Sequence, residues 1–541
     1  MIKFHELIFF QVTMKVKTRF APSPTGSMHI GGLRTALYAY AYANKHNGEF
    51  VLRLEDTDRK RFVPGSIDFV VDTLRQFKLP ADKMPTKESI AKAEVDGNKD
   101  MSEPDWILKE AELNALNDSD FETVCIQSQR IKLYQKYALK LVESGNAYIC
   151  FASAEELQNL RDKADASKTR FIYRGQLGKY NLQDALPRIR SGEHFVVRLN
   201  VAKYVAEKNV DKVEHDGTVY PLSEVDDQVL VKSDGIATYH LAVVVDDHLM
   251  GITHPMRASE WIPSTPKQVV IYDMLGWDMP KFIHLTSILN ANGKGKLSKR
   301  DGSVSTLEFL QEGYLAEAML NFLMLLGWSS PEKHEHGVKE REFYTLTEFV
   351  DLFDVKDLNK SNPIFNRDKL LWFNQKYISN LEVTELAKRY LEWLDSYGND
   401  PELRKRIVEL GEEYLKNVLV LVKERVRLLA EISDSIRLFY YREEINDEKW
   451  LSQFNGLVNA RDLVQEFFGV LSSKNSIQNW EHEDWEKTIR SLADKFEIKA
   501  RDAFMLVRMA VLRKSVSPPL YESMVVLGDV ECKKRIEAFL A

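Results

Sequence analysis

Apolar and polar positions set out the first elements near the amino terminus. Val16-Lys-Thr-Arg-Phe-Ala21 reads as a short strand, Gly32 to Ala43 as a helix, and Phe50-Val-Leu-Arg-Leu-Glu55 as a second strand. That order predicts a βαβ unit with parallel strands, whose carboxyl ends form the nucleotide-facing edge of an open sheet. Arg130 to Val142 has the period of an amphipathic helix, and His194 to Leu199 reads as a strand. Thr238-Tyr-His-Leu-Ala-Val-Val-Val-Asp246 is a continuous apolar run, assigned to a strand buried on both faces with Asp246, Asp247 and His248 at its open end. Beyond Arg300 the pattern is helical. Within it, Leu307 to Leu326 is too apolar for a surface helix and is expected between domains, and Ser517-Pro-Pro-Leu-Tyr521 punctuates the last helix pair.

The pattern breaks from about 81 to 119, which is polar with scattered anchors such as Met101, Trp106 and Ile107. It reads as a partly helical surface insertion whose deletion costs modest activity. A chain of 541 residues is too long for one core and suggests three to five modules. A net charge of −7 weighs mildly against nucleic acid, yet Lys294 to Arg300 and Lys423 to Arg427 are local basic clusters. Taken alone, either cluster reads as a solvated helix or loop face. Cys125, Cys150 and Cys532 are too widely spaced for a disulfide framework or a zinc site. No apolar stretch is long enough to span a bilayer, and Leu7 to Phe10 lacks a cleavage signal, so a cytoplasmic protein is expected. Residues 1–14 read as an extension or as an upstream start before Met14.

Two motifs carry chemistry. Arg19-Phe-Ala-Pro-Ser-Pro-Thr-Gly26-Ser-Met-His29-Ile-Gly31-Gly32 joins the first strand to the helix, where backbone amides, an imidazole and the positive end of the helix dipole suit ATP phosphates. Lys296-Leu-Ser-Lys299-Arg300 gives a glycine-rich loop two ammonium groups able to stabilise departing pyrophosphate. Each alone is weak; together they point to an enzyme that makes an adenylate.

With Leu54-Glu-Asp-Thr-Asp58 and Asp246-Asp-His-Leu-Met-Gly-Ile-Thr253 added in order, the chain resembles bacterial-type glutamyl-tRNA synthetases, which are class I aminoacyl-tRNA synthetases. The resemblance implies an α/β fold. A Rossmann-type parallel-sheet catalytic domain occupies 15–95 and 240–290, with an inserted α+β acceptor-binding domain at 96–239. A stem-contact domain with the lysine loop follows at 291–370, then an all-α anticodon-binding domain at 371–541. It implies ATP-dependent activation of L-glutamate and transfer to the terminal adenosine of tRNA(Glu), by a monomer, with activation waiting for tRNA. Some members also charge tRNA(Gln).

Glutamate, with two carboxylates and an ammonium, needs guanidinium forks and an acidic acceptor. Arg19 and Arg257 supply the forks, and the resemblance adds Ala21, Ser23, Glu55 and Tyr239. Without the motif, Arg19 and Glu55 on neighbouring strands would be read as simply pairing with each other. For ATP the resemblance implies His29, Gly31, Gly32, Glu260, Leu289 and Lys299, with Lys296 beside Lys299 in catalysis and Mg²⁺ carried by ATP. Some relatives hold zinc near Ala147 to Phe151 through clustered cysteines; the single Cys150 here predicts none. Arg425 and Arg427 are candidates for tRNA contact. Three rivals remain. A short relative that charges a modified base would lack the distal helices, a small-molecule adenylyltransferase would not need them, and a silent tRNA-binding paralogue would lose His29 or Lys299.

Overall fold

The computed structural model describes residues 15–97, 99–298, 302, 304–331, 341–442, 457–473, 477 and 480–541. The extension before Lys15, together with Lys299 and Arg300, lies outside the described residues. Two compact units divide the chain: Met1–Leu307 with Leu320–Phe365, and Glu308–Met319 with Asn366–Ala541.

In the first unit, strand β1 (Lys17–Phe20), helix α1 (Ile30–Lys45) and strand β2 (Glu49–Leu52) form the expected βαβ turn. The strands are parallel, with Arg19 opposite Val51. Alanines 36, 39, 41 and 43 of α1 are fully buried, and the Thr18 hydroxyl donates to the Ala39 carbonyl at 2.8 Å, so helix and sheet approach closely. Gly48 permits the tight return, since a Cβ there would lie 2.2 Å from the Val16 carbonyl oxygen. Helix α2 (Ser66–Gln76) follows.

The 81–119 segment is more than a surface insertion. The amide of Leu52 donates to the Lys83 carbonyl and that of Asp82 to the Phe50 carbonyl, both at 2.8 Å, so its start extends the sheet beyond β2. It carries helices at Lys87–Asp96 and Glu110–Asn114, as expected in part. Trp106 and Ile107, however, are 1% exposed and join the core with Phe195. Few apolar residues suffice to anchor the segment because those few are large and fully buried.

Helix α3 (Ile131–Glu143) and the antiparallel sheet β3 (Ala147–Cys150), β4 (Val196–Leu199) and β5 (Val229–Val231), in that order, match the expected helix and strand. The run at 238–246 does not match: it is helix α4 (Tyr239–Leu249). Leu241 through Asp247 are all buried, so this helix shows no polar stripe and mimics a buried strand in sequence. Asp246 and Asp247 are therefore interior helix residues, not a polar strand end. Strands β6 (Met256–Ala258) and β7 (Ile283–Leu285) are parallel, with Arg257 opposite His284, and helix α5 (Thr265–Leu275) connects them. The amides of Thr253 and His254 donate to the Lys17 carbonyl, which brings the start of β6 beside β1.

Helices at Thr306–Glu312 and Ala316–Met324 bury Phe309, Ala318 and Leu323, in keeping with the apolar pattern of that stretch. The second unit is helical, with a core that includes Leu386, Tyr390, Leu419, Ile436, Phe467, Leu506 and Cys532. Among the described residues, no helix is long and apolar enough to cross a membrane.

Because Trp106 fills core space, Trp106→Ala is expected to destabilise the first unit by about 3–5 kcal/mol. Urea unfolding followed by circular dichroism should show an earlier midpoint; an unchanged midpoint would return the segment to the surface.

Candidate functional site

At the carboxyl ends of β1 and β6 lies a cavity of about 520 Å³, lined among others by Arg19, Glu55, Tyr239, Arg257, His29 and Lys296. The strands explain the convergence. Past the ends of β1 and β2 the pairing continues, with the Arg53 amide donating to Phe20 and the Glu55 amide to Pro22, each at 3.0 Å. Arg53 and Glu55, two residues apart, thereby share one face.

Arg19 is 3% exposed. Its Nε and Nη2 donate to the two carboxylate oxygens of Asp247 at 3.2 and 3.4 Å, and Nη1 donates to the Met256 carbonyl at 2.7 Å. One side of the guanidinium is fixed, leaving two N–H groups for a ligand. Glu55 does not pair with Arg19. Its Oε1 accepts from Arg53 Nη2 at 2.9 Å, while Arg53 Nη1 donates to Asp247 at 2.6 Å. Burial raises the Glu55 carboxyl above its ordinary range, and Arg53 and Arg19 offset this only in part. Burial also acts to raise Asp247, but Arg19 and Arg53 outweigh it and hold that carboxyl below its usual range.

Arg257 is held differently. Its Nε donates to His284 Nε2 at 3.0 Å, Nη1 to Gln268 at 2.6 Å and Nη2 to Thr265 at 3.0 Å, with Phe282 4.3 Å from its Cζ. Each of these partners is neutral: burial, reinforced by Arg257, pushes the His284 imidazole down to about 4. Among the described residues no carboxylate pairs with Arg257, a guanidinium only 5% exposed. A buried cation without a counter-ion is costly unless a ligand supplies one. Tyr239, at the start of α4, faces Arg257 and packs on Trp261 with ring centroids 4.1 Å apart. Ala21 and Ser23 line the same cavity.

On the phosphate side, His29 caps α1, and its Nδ1 accepts from the Gly31 amide at 3.0 Å. In a neutral imidazole this bond places the proton on Nε2. The amides of Ile30 and Gly32 donate to Val304 and His29 carbonyls, so the first three amides of α1 already have partners. A Cβ on Gly31 would lie a tight 3.3 Å from His29 Nδ1, so that glycine serves close packing of the turn, whereas one on Gly32 would make only ordinary contact, 3.5 Å from Met28. The lysine loop leaves this same turn: His29 bridges Ser305, and the Thr306 amide donates to the Met28 carbonyl. Lys296 pairs with Glu260, bringing two expected ATP residues together. Leu289 is placed otherwise. Its amide donates to Pro363 and its carbonyl accepts from Phe365, while its neighbour Ile288 lines the cavity.

Several contributors were not singled out in the sequence: Arg53, Thr265, Gln268, His284 and Trp261. The Asp246-Asp247 pair was visible, but its role required knowing that the segment is helical. A second cavity of about 970 Å³ shares Glu55, Tyr239 and Trp261 with the first and is lined by Lys60, Arg61, Lys99 and Lys232. In the second unit, Arg425 donates to the Ser517 carbonyl at 2.7 Å and Arg427 pairs with Glu431 at 3.0 Å. The three cysteines are free and buried, with the Cys150 sulfur 3.3 Å from the Tyr173 hydroxyl.

Comparison with known proteins shows the family. Residues 15–372 match the family of tRNA synthetases class I (E and Q), catalytic domain, and residues 382–540 match an anticodon-binding domain family. The glutamate–tRNA ligase of Finegoldia magna is 36% identical over 528 residues, covering 97% of this chain and 99% of its own. That of Chloroherpeton thalassium is 33% identical over 541 residues, covering 96% and 97%. The crystal structure of a glutamate tRNA ligase from Elizabethkingia meningosepticum in complex with its amino acid matches with a TM-score of 0.77 at 28% identity, over 97% of this chain and 99% of that one. The chain belongs to the class I tRNA synthetases for glutamate and glutamine, with glutamate–tRNA ligase activity.

Proposed function

We propose that the smaller cavity activates glutamate, with Arg257 and Arg19 receiving its carboxylates, Glu55 its ammonium, and Tyr239, Ala21 and Ser23 closing around it. The observation that carries this reading is electrostatic. Around Glu55, the buried guanidinium groups Arg19, Arg53 and Arg130 balance the three carboxylates Glu55, Asp246 and Asp247, while Arg257 meets no carboxylate and its charge is left over; Arg34, also buried on the cavity wall, is held by the Leu326 and Thr286 carbonyls. Glutamate brings one net negative charge and cancels it; glutamine brings none and leaves Arg257 unmatched. Mismatch of this kind rejects an analogue by ~10⁴ without editing.

His29, the Gly31-Gly32 turn, Lys296, Lys299 and Glu260 are assigned to ATP. The substrate carboxylate attacks the α-phosphorus, a new O–P bond forms and pyrophosphate leaves, so the protein acts by orientation and charge stabilisation. Among the described residues no three metal-ligating side chains come together; Mg²⁺ held by the ATP phosphates would neutralise their charge. The adenine contact expected of Leu289 passes to the neighbouring backbone around Ile288. The larger cavity, with aromatic rings at its border and lysines on its wall, suits the terminal adenosine of the tRNA acceptor strand. The domain roles follow those implied by the resemblance. Working as a monomer and a tRNA requirement for activation belong to the same proposal, with charging of tRNA(Gln) beside tRNA(Glu) as its alternative. Side-by-side aminoacylation of the two tRNAs, and pyrophosphate exchange with and without tRNA, test the last two.

Arg257→Ala and Arg19→Ala should each raise the glutamate KM by about 10²-fold or more while the ATP KM stays near that of the natural chain. Unchanged glutamate kinetics would remove the residue from the site. For Arg257→Ala the ratio of glutamate to glutamine use should also fall.

Glu55 must be ionised to hold an ammonium, so glutamate binding is present above its pKa and lost as pH falls through it. Since that pKa is raised by burial, kcat/KM for glutamate should decline on the acid side above the ordinary carboxylate range, before free glutamate protonates its side chain. A decline that merely tracks the substrate would count against Glu55.

A further inference from the structure

Arg19 and Glu55 carry opposite charges at the ends of adjacent strands, with Arg19 opposite Val51 in the register and Glu55 four residues beyond it. Left to themselves they would close into an ion pair, and neither would remain for a zwitterionic ligand. Arg53 stands between them. It is fully buried, donates through Nη2 to Glu55 at 2.9 Å and through Nη1 to Asp247 at 2.6 Å, and lies 3.6 Å from Asp246 through Nε. Asp247 in turn holds Arg19 by its side edge.

We propose that Arg53 is a positioning residue for glutamate recognition: by bridging Glu55 and Asp247 it keeps Arg19 and Glu55 from neutralising each other, so that both stay directed at the substrate. This inference rests on the reading of the smaller cavity as the glutamate site. A lysine at the same place keeps the charge but has one ammonium on a flexible stem, which cannot make both bonds in fixed directions. Loss of one charge-assisted bond of this kind corresponds to roughly 10- to 100-fold in affinity. Asp246 offers an internal comparison, since it is equally buried on α4 but is engaged chiefly by Arg130, Gln127 and Tyr134.

The test uses the full chain, with aminoacylation kinetics and thermal melting of Arg53→Lys, Asp246→Asn and the charge-paired double variant Arg53→Met with Asp247→Asn. For Arg53→Lys and the double variant, the glutamate KM should rise about tenfold or more with the ATP KM little changed. The acid limb of kcat/KM for glutamate should also move to higher pH in Arg53→Lys, because Glu55, faced by Arg53, Arg19, Asp247 and Tyr239, loses the fixed guanidinium hydrogen bond that favours its charged form. Asp246→Asn should lower the melting temperature without that pH shift. A folded Arg53→Lys chain with unchanged glutamate KM and pH profile overturns the proposal, as does an equal pH shift in Asp246→Asn. If neither Arg53 variant folds, the residue is structural and the proposal falls. Failure of the underlying site reading would show separately, as unchanged glutamate kinetics in Arg257→Ala.

Discussion

Burying charge is the constraint around which the first unit is arranged. Arg19, Arg53, Arg130, Arg257, Asp246 and Asp247 are each at most 5% exposed, except where Glu55 reaches the cavity with 11% of its side chain. Removing a partner from the ion-paired members, Arg19, Arg53, Arg130, Asp246 and Asp247, strands another charge and costs about 3–5 kcal/mol, whereas Arg257 has only neutral partners. The cluster therefore dictates local structure. Helix α4 has to present Asp246 toward Arg130 and Tyr134 and Asp247 toward Arg19 and Arg53, and successive residues of a helix, about 100° apart, can face these two neighbours where a strand would send them to opposite sides.

A second constraint acts on the phosphate side. The segment at 304–306 is bonded to the His29 turn through Ile30, Met28 and the His29 to Ser305 bridge, and Leu289 and Leu297 fix the other root of the lysine loop to residues near Ile288 and Pro363. The described residues on either side, Leu297 and 304–306, are thus both bonded to segments that line the cavity.

What could be read in the sequence follows from which signals are local. The βαβ unit at 16–55 was legible because its periodicities are clean and its turn residues unambiguous, and the helix at 131–143 because it has a polar face. Helix α4 was not, because complete burial erases the difference between a helix and a strand, and its β-branched valines favour the wrong answer. The importance of Trp106 was hidden in a polar stretch, since one large side chain leaves no period. Of the candidate site, the residues inside motifs, Arg19, His29 and Glu55, converge on one cavity with Arg257, chosen as a guanidinium fork, and Tyr239, implied by the resemblance. Their supports, Gln268, Thr265 and His284, could not be read, because they are set by the β6 to β7 register and by the first turns of α5, which only the folded chain defines.

The contrast between the two forks bears on how selectivity arises. Arg19 already has a carboxylate at its side, so a ligand carboxylate adds a second anion and gains modestly. Arg257 is surrounded by a histidine kept neutral, an amide, a hydroxyl and an aromatic ring, all of which fix its direction without cancelling its charge. In that setting an incoming carboxylate meets an undiminished field, whereas an amide offers only a dipole. On the proposed reading of the cavity, neutral supports turn a difference of one charge between two nearly isosteric amino acids into a large difference in binding, and a carboxylate engineered beside Arg257, for example Gln268→Glu, is expected to erase that difference by supplying internally what the substrate otherwise brings.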